Sequence, residues 1–337
     1  MENYQNHHLK NFFVFFSRID YNTTLFTKET KYMLRKLLIC ILLSLNALSG
    51  INTKFLKKPT NKEGPYNLRN IDFIYMINLD ARPQKYQMSL DQLSPYGITP
   101  YRFSAVNGWE IPLEDLDSLA TLCTSKKKLL LMGTYYIPTE DGRPTHEALN
   151  PGKRYFSHCM PRGSIGIVLS HLSILKDAYE SGYQTIWVME DDIQVIRDPR
   201  ILPDLIDELD HLVGKNGWDI LFTDRDTKGQ DGKYVACNAF ATRPDFTPSD
   251  PSKCTFHEKI NSEFRRIGAR YGAYSMIVRR SGMKKLLDFY KNRDIFLPFD
   301  MEYTLPDDIK LVTVRHDVVS TMPKALSDNG VPGYLGN

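Results

Sequence analysis

The chain reads as an α/β fold, and three stretches carry that reading. DFIYMINLD is an apolar strand, with a helical pattern and a second strand after it. Residues 163–192, GSIGIVLSHLSILKDAYESGYQTIWVMEDD, read as a helix, a glycine stop and a buried strand that ends in three carboxylates. YSMIV followed by SGMKKLLDFY gives a further strand–helix pair near the C-terminus. Strands alternating with helices in this way indicate a layered sheet covered by helices.

The elements follow in order. Arg82-Pro83 ends the first strand and opens a helix, with proline at a first-turn position. Tyr86, Leu90 and Leu93 fall at helical spacing and Gly97 closes the unit. Tyr101 to Val106 is the next strand, and Asn107-Gly108 a turn. Residues 107–162 show no strong periodicity and read as a long connection of the kind that forms lids or binding loops. Within it, Lys126–Lys128 fit a solvated face better than a phosphate contact. Ile165, Val168, Leu169, Leu172, Leu175 and Tyr179 then mark one face of a helix that stops at Gly182. TIWVM is a short strand covered on both faces. Pro203–Val213 is a helix, 218–223 a strand, 224–262 irregular and exposed, 309–319 a late strand, and the tail from Ser320 a loop.

Glu190, Asp191 and Asp192 stand where the buried strand ends. In open α/β sheets ligands bind beyond the carboxyl ends of strands. Clustered carboxylates repel unless a cation joins them, and an oxygen-loving divalent metal that bridges to phosphates is the chemistry this position suggests. A solvated acidic turn is the plainer reading. No GxGxxG and no GKS/T is present, so dinucleotide and P-loop sites lack their signatures.

The 337 residues carry a net charge of +3, too small to argue for nucleic acid. Before Asn70 there are eleven Lys/Arg and four Asp/Glu, a local +7 that leaves −4 for the rest. This leader (1–50) contains a basic cluster at Lys31, Arg35 and Lys36, an apolar run Leu37–Leu45, and a small-x-small Ala47-Leu48-Ser49. Residues 33–50 therefore read as a signal peptide or membrane-proximal anchor, with a buried or amphipathic helix as the other reading. The run is shorter than the roughly 20 residues that span a bilayer. Met33 is a plausible alternative start. The leader points to an exported or membrane-associated protein, or to the cytoplasmic face of a membrane with an anionic surface as partner. Residues 51–70 read as a basic tether. Of five cysteines (40, 123, 159, 237, 254) none forms a CxxC pair, which argues against zinc or redox chemistry. The four outside the leader fit free thiols better than two disulfides.

Three blocks resemble glycosyltransferase family 25, the lipopolysaccharide-biosynthesis and collagen galactosyltransferase group. IYMINLDARPQKYQ (74–87) is similar to its opening "INL-x-x-R"; residues 163–192 to its "G-x-x-G-C-x-x-S-H" helix followed by "EDD"; and RRIGARYGAYSMIVRRSGMKKLL (265–287) to its "G-x-x-x-Y-x-V-S-x-x-G-A-x-K-L" block. FLPFD, ending at Asp300, fits the "P-x-D" that follows. The resemblance spans roughly residues 71–329, with 330–337 left as a tail. Ile167 stands where the family has Cys, and LFTDRD (221–226) replaces an apolar-Gly strand ending.

The resemblance implies a GT-A-like nucleotide-binding sandwich with a mixed central sheet and helices on both faces. It implies inverting transfer of a hexose, galactose foremost, from a UDP-sugar to a glycan, lipid-linked or protein-linked acceptor, with Mn²⁺ as the expected cation. Asp192 is then the first metal ligand. Asp191 and Glu190 serve metal, water or ribose, and His316 is a further metal candidate. Asn78, Leu79 and Arg82 belong by the nucleotide. Ser170 and His171 match the "S-H" pair, His171 fitting a structural hydrogen-bonding role better than a ligand. Asp300 is the candidate general base or acceptor contact, with Asp224 or Asp226 next and a loop-capping role as the plainer reading of Asp300. Two rivals are a glycan-binding homologue without turnover and another metal-dependent phosphate enzyme.

Overall fold

The computed structural model describes residues 53–124, 131–137, 143–225, 227–228, 234–235, 242–323, 325 and 327–330. The leader, the Lys126–Lys128 run, Cys237 and Asp226 lie outside the described residues.

In chain order, strand β1 (Phe73–Asn78) leads to helix α1 (Pro83–Leu93), whose exit passes through Gly97 at φ +69°, and to β2 (Tyr101–Ser104). Helix α2 (Leu113–Leu116) and strands β3 (Thr121–Leu122), β4 (Met132–Tyr136), β5 (Pro144–Ala148) and β6 (Arg154–Ser157) follow. The long helix α3 (Arg162–Glu180) feeds β7 (Thr185–Glu190) and β8 (Ile193–Val195), then helix α4 (Leu202–Val213) and β9 (Ile220–Phe222). Short β10 (Thr227–Lys228), β11 (Tyr234–Val235) and β12 (His257–Lys259) precede β13 (Phe264–Ile267), β14 (Ser275–Arg279) and helices α5 (Arg280–Lys291) and α6 (Phe299–Glu302). Strands β15 (Leu311–Val314) and β16 (Val319–Thr321) close the series.

The central sheet has eight strands in the order β12-β13-β15-β9-β14-β7-β1-β2. It is mixed: β1 runs parallel to β2 and β7, and β9 to β15, while β14 is antiparallel to both its neighbours, β7 and β9. Alternate side chains face opposite layers, as strand geometry demands. Tyr75, Ile77, Ile186, Val188, Phe222, Met276 and Val278 pack with α3 and α5. Ile74, Met76, Trp187, Met189, Leu221, Ile277 and Val312 pack with Leu93 of α1 and Leu202, Leu205 and Leu209 of α4. Helices therefore cover both faces of a mixed sheet, the layout a GT-A-like sandwich requires.

Three expectations change. Residues 107–162 are not one unstructured connection: β3-β6-β4-β5 form a second antiparallel sheet, whose Tyr136, Tyr155 and Phe156 join the main core. The strand expected over 309–319 is two strands. Val318 donates its N–H to the Thr223 carbonyl at 2.8 Å, and the chain then leaves the central sheet so that β16 pairs with β8. The stretch read as a tether is docked from Thr53 onward. Lys57 N–H donates to Ser173 Oγ at 3.0 Å, Lys62 pairs with Asp177 at 2.9 Å, and the Tyr66 ring packs on Phe73 and Tyr101. Among the described residues, Cys123, Cys159 and Cys254 are thiols outside any disulfide, and no helix is long and apolar enough to cross a membrane.

Candidate active site

The three-carboxylate end of β7 opens into a cleft at the carboxyl ends of the parallel strands β1, β2 and β7. Ile77, Leu79, Lys85, Asn107, Trp109, Ser170 and the Glu190–Asp192 triplet line it, together with Ser327, Asp328 and Asn329 from the far end of the chain. Two close backbone approaches build its wall. A Cβ on Gly166 of α3 would fall on the Val106 carbonyl, and one on Gly108 on the Arg162 carbonyl, so only glycine lets the loop after β2 cross the helix start. Ser170 locks this crossing, accepting from Val106 N–H at 2.8 Å and donating to the Gly166 carbonyl at 2.7 Å.

The Asp191 carboxylate is held rather than solvated. Asn78 Nδ2 donates to Asp191 Oδ2 at 2.6 Å and to the Arg82 carbonyl at 2.8 Å, while its Oδ1 accepts from Arg102 Nε at 2.7 Å. Every polar atom of the Asn78 side chain is thus engaged, and what it fixes is the direction of Asp191. The Asp192 carbonyl accepts from Met322 N–H at 2.8 Å, which ties the triplet to the end of β16. Burial pushes Glu190 up to about 7, with Asp191 and Asp300 adding to the rise and Lys85 opposing it. Burial likewise lifts Asp191 and Asp192 to about 6. Such raised values mark carboxylates that lack enough positive charge nearby.

His171 is sealed in the core. Its ring stacks on Phe299 at 4.1 Å and 4°, Nε2 lies 3.4 Å from Glu190 Oε1, and burial pushes its pKa down to about 3. It is therefore neutral, turned to Glu190 rather than to the cleft. Asp300, at the start of α6, accepts from Gly272 N–H at 2.9 Å, and burial raises its pKa. It does not line the cleft but stands on the Glu190–His171 side of it, acting electrostatically on both.

Two sequence candidates stand elsewhere. His316 is exposed on the turn between β15 and β16, its carbonyl accepting from Arg197 at 3.2 Å, and it is not among the cleft residues. Asp224 is fully buried against Arg270 at 2.8 Å, accepting from Tyr274 Oη at 2.7 Å and Ser320 Oγ at 2.8 Å, so no acceptor hydroxyl reaches it. The polar LFTDRD ending is thereby explained. Thr223 and Asp224 face inward and join a hydrogen-bonded network with Ser275, Tyr274 and Arg270.

The cleft also contains groups the sequence reading passed over. Lys85 lies one turn after Arg82 on α1, and both reach Asp328 Oδ2, at 3.3 Å and 3.2 Å. The spacing of Arg82 and Lys85 was a usable signal, because residues three apart share a helix face. Trp109 and Asp328 had none: one sits in a turn and the other arrives from more than a hundred residues away.

Among the described residues, no three His, Cys, Asp or Glu side chains are grouped to hold a metal by themselves. A cation that completes its shell with substrate phosphates needs only one or two carboxylates. The donor set fits that case: Asp192 Oδ1 is buried with no hydrogen-bond partner, and Asp191 is oriented beside it.

Comparison with known proteins bears on the family of the chain. The model of "Glycosyltransferase family 25 (LPS biosynthesis protein)" matches residues 71–303, which include β1, α3, the triplet and Asp300. A "Glycosyltransferase 25 family member" of Aedes aegypti is 25% identical over 181 residues, 54% of this chain and 26% of that protein. One of Drosophila melanogaster is 28% identical over 125 residues, 37% of this chain and 16% of that protein. The aligned parts thus span about a quarter or less of these relatives. With the family model covering well over half of the chain, from the first strand of the sheet through the helix that carries Asp300, the chain belongs to glycosyltransferase family 25.

Proposed function

We propose that this chain is a divalent-metal-dependent, inverting glycosyltransferase that moves a hexose, galactose foremost, from a UDP-sugar to a hydroxyl of a glycan or glycoconjugate such as lipopolysaccharide. The observation that carries the reading is the orphaned Asp192 Oδ1, set among carboxylates of raised pKa and beside the Arg82–Lys85 pair, in a family-25 domain.

The residues divide the work as follows. Asp192 and Asp191 would hold Mn²⁺ or a similar cation, with Asn78 fixing Asp191. Bound there, the cation supplies Lewis-acid stabilisation of the charge that grows on the leaving diphosphate. Arg82 and Lys85 add fixed positive charge to the same oxygens. Leu79 and Trp109 offer apolar surface to the nucleoside or sugar. Asp300, half-buried on the Glu190 side of the cleft, is assigned to take the proton from an acceptor hydroxyl entering on that side; burial raises its pKa, which makes it a better base near neutral pH than an ordinary aspartate. Neutral His171, stacked on Phe299 next to Asp300, faces Glu190 without adding charge.

The test is a panel of nucleotide sugars incubated with the protein and Mn²⁺ and a mixed glycan acceptor pool. Release of UDP coupled to sugar incorporation supports the reading. Release of inorganic phosphate without transfer would replace it with a phosphohydrolase, and binding without turnover with a glycan-binding homologue.

A further inference from the structure

The cations nearest the carboxylate triplet are already occupied. Asp328, with its side chain 9% exposed, pairs with both Arg82 and Lys85, which are 13% and 16% exposed. Its carbonyl accepts from Trp109 Nε1 at 3.2 Å. The neighbouring Asn329 backbone lies against Gly163 at the start of α3, so closely that a Cβ there would sit 2.6 Å from both the Asn329 Cα and its carbonyl oxygen. Residues 327–329 thus form a strap held at three points across the mouth of the cleft. The space left inside is about 100 Å³. Pockets that bury a drug-sized ligand run to roughly 300–1,000 Å³.

We propose that Asp328 is an internal stand-in for the donor's phosphate: its carboxylate occupies the Arg82–Lys85 pair in the free protein, and the 327–329 strap leaves the cleft when a diphosphate takes its place. The inference rests on the reading of this cleft as the donor site. It assigns to the C-terminal strap a control over donor affinity, because a ligand that must first displace a seated segment binds more weakly by the fraction of time the cleft is open. The same exchange places a negative group on the cations only when no donor is present, which spares Arg82 and Lys85 from standing unpaired beside an apolar wall.

Two variants separate displacement from simple charge. Asp328→Asn removes the carboxylate. Gly163→Ala keeps it but crowds the Asn329 backbone, and alanine suits the first turn of a helix. Binding of UDP and of inorganic pyrophosphate, each with Mg²⁺, is measured by calorimetry on the full chain. Iodide quenching of tryptophan fluorescence follows the strap, since Trp187 and Trp218 are fully buried and Trp109 dominates the quenchable signal.

If the strap is seated about nine-tenths of the time, both variants bind UDP on the order of tenfold more tightly than wild type. Both also show greater quenching without ligand, and UDP raises quenching in wild type. Equal affinities in all three proteins overturn the proposal. So does tightening in Asp328→Asn alone with unchanged quenching, which makes Asp328 a local charge. Weaker binding in Asp328→Asn also overturns it, and makes Asp328 a holder of the ligand. Pyrophosphate binding that tightens in both variants while UDP does not bind at all leaves the strap standing and removes the donor reading instead. Absence of binding by either ligand in every protein overturns both.

Discussion

Asp224 was a candidate base on sequence, and the fold makes it a structural anion whose removal has a calculable cost. Asp224→Asn keeps the shape and removes the charge facing Arg270, in a pair whose side chains are 0% and 1% exposed. It also weakens the acceptor for Tyr274 Oη and Ser320 Oγ. Breaking a buried pair by neutralising one partner costs about 3–5 kcal/mol, because the other charge stays buried. At roughly 2–4 °C per kcal/mol for a domain of this size class, the melting temperature should fall by ~6–20 °C. Thermal denaturation followed by circular dichroism measures this, with Thr223→Val as a milder control in the same network. A variant melting within about 2 °C of wild type would refute the buried-pair argument. If it also lost turnover by about 10²–10⁴-fold, Asp224 would be the general base after all.

Asp300→Asn, which can still accept from Gly272 N–H, should lower kcat by about 10²–10⁴-fold and leave UDP affinity unchanged in calorimetry; loss of UDP affinity would move Asp300 to the donor side. A chain begun at Asn67 loses the Lys62–Asp177 pair and the Lys57–Ser173 bond, so it should melt several degrees below one begun at Gly50; equal melting would restore the tether reading. Glu190, Asp191 and Asp192 have folded pKa values near 7, 6 and 6, above their ordinary 4.5, 3.8 and 3.8. The folded state therefore binds more protons than the unfolded one between about pH 4 and 7. Their contribution is most favourable below pH 4 and is lost as pH rises through 6 to 7. In chelator, wild type should lose stability relative to Glu190→Gln over that window, and Mn²⁺ should restore it increasingly toward pH 8. Parallel pH profiles for the two proteins would show that the carboxylates are not strained.

Much of the frame was legible because its signals are local. The helix 162–180 shows its apolar face in the spacing Ile165, Val168, Leu172, Leu175, and β1 and β7 are apolar runs, the second bounded by Gly182 and the acidic triplet. The second sheet was hidden because its strands are two to five residues long, and β5 reads PTHEA, with three of its five positions exposed. The triplet and Asn78 were found in sequence, and the fold brings them together at 2.6 Å. His316 was misplaced because the polar Arg315-His316-Asp317 between two apolar runs reads as part of one strand, whereas it is the turn where the chain leaves the central sheet. Asp328 was invisible for a different reason: its meaning lies wholly in two cations some 240 residues earlier in the chain.

The most direct test of the central claim is calorimetry of UDP binding in Mn²⁺ and in chelator, for wild type and Asp192→Ala. The account predicts markedly tighter binding in Mn²⁺ for wild type, and loss of that gain in Asp192→Ala with the melting temperature kept. Equal affinity with and without the cation, or an undiminished gain in the variant, would contradict the assignment of the carboxylate cleft as a metal–diphosphate site.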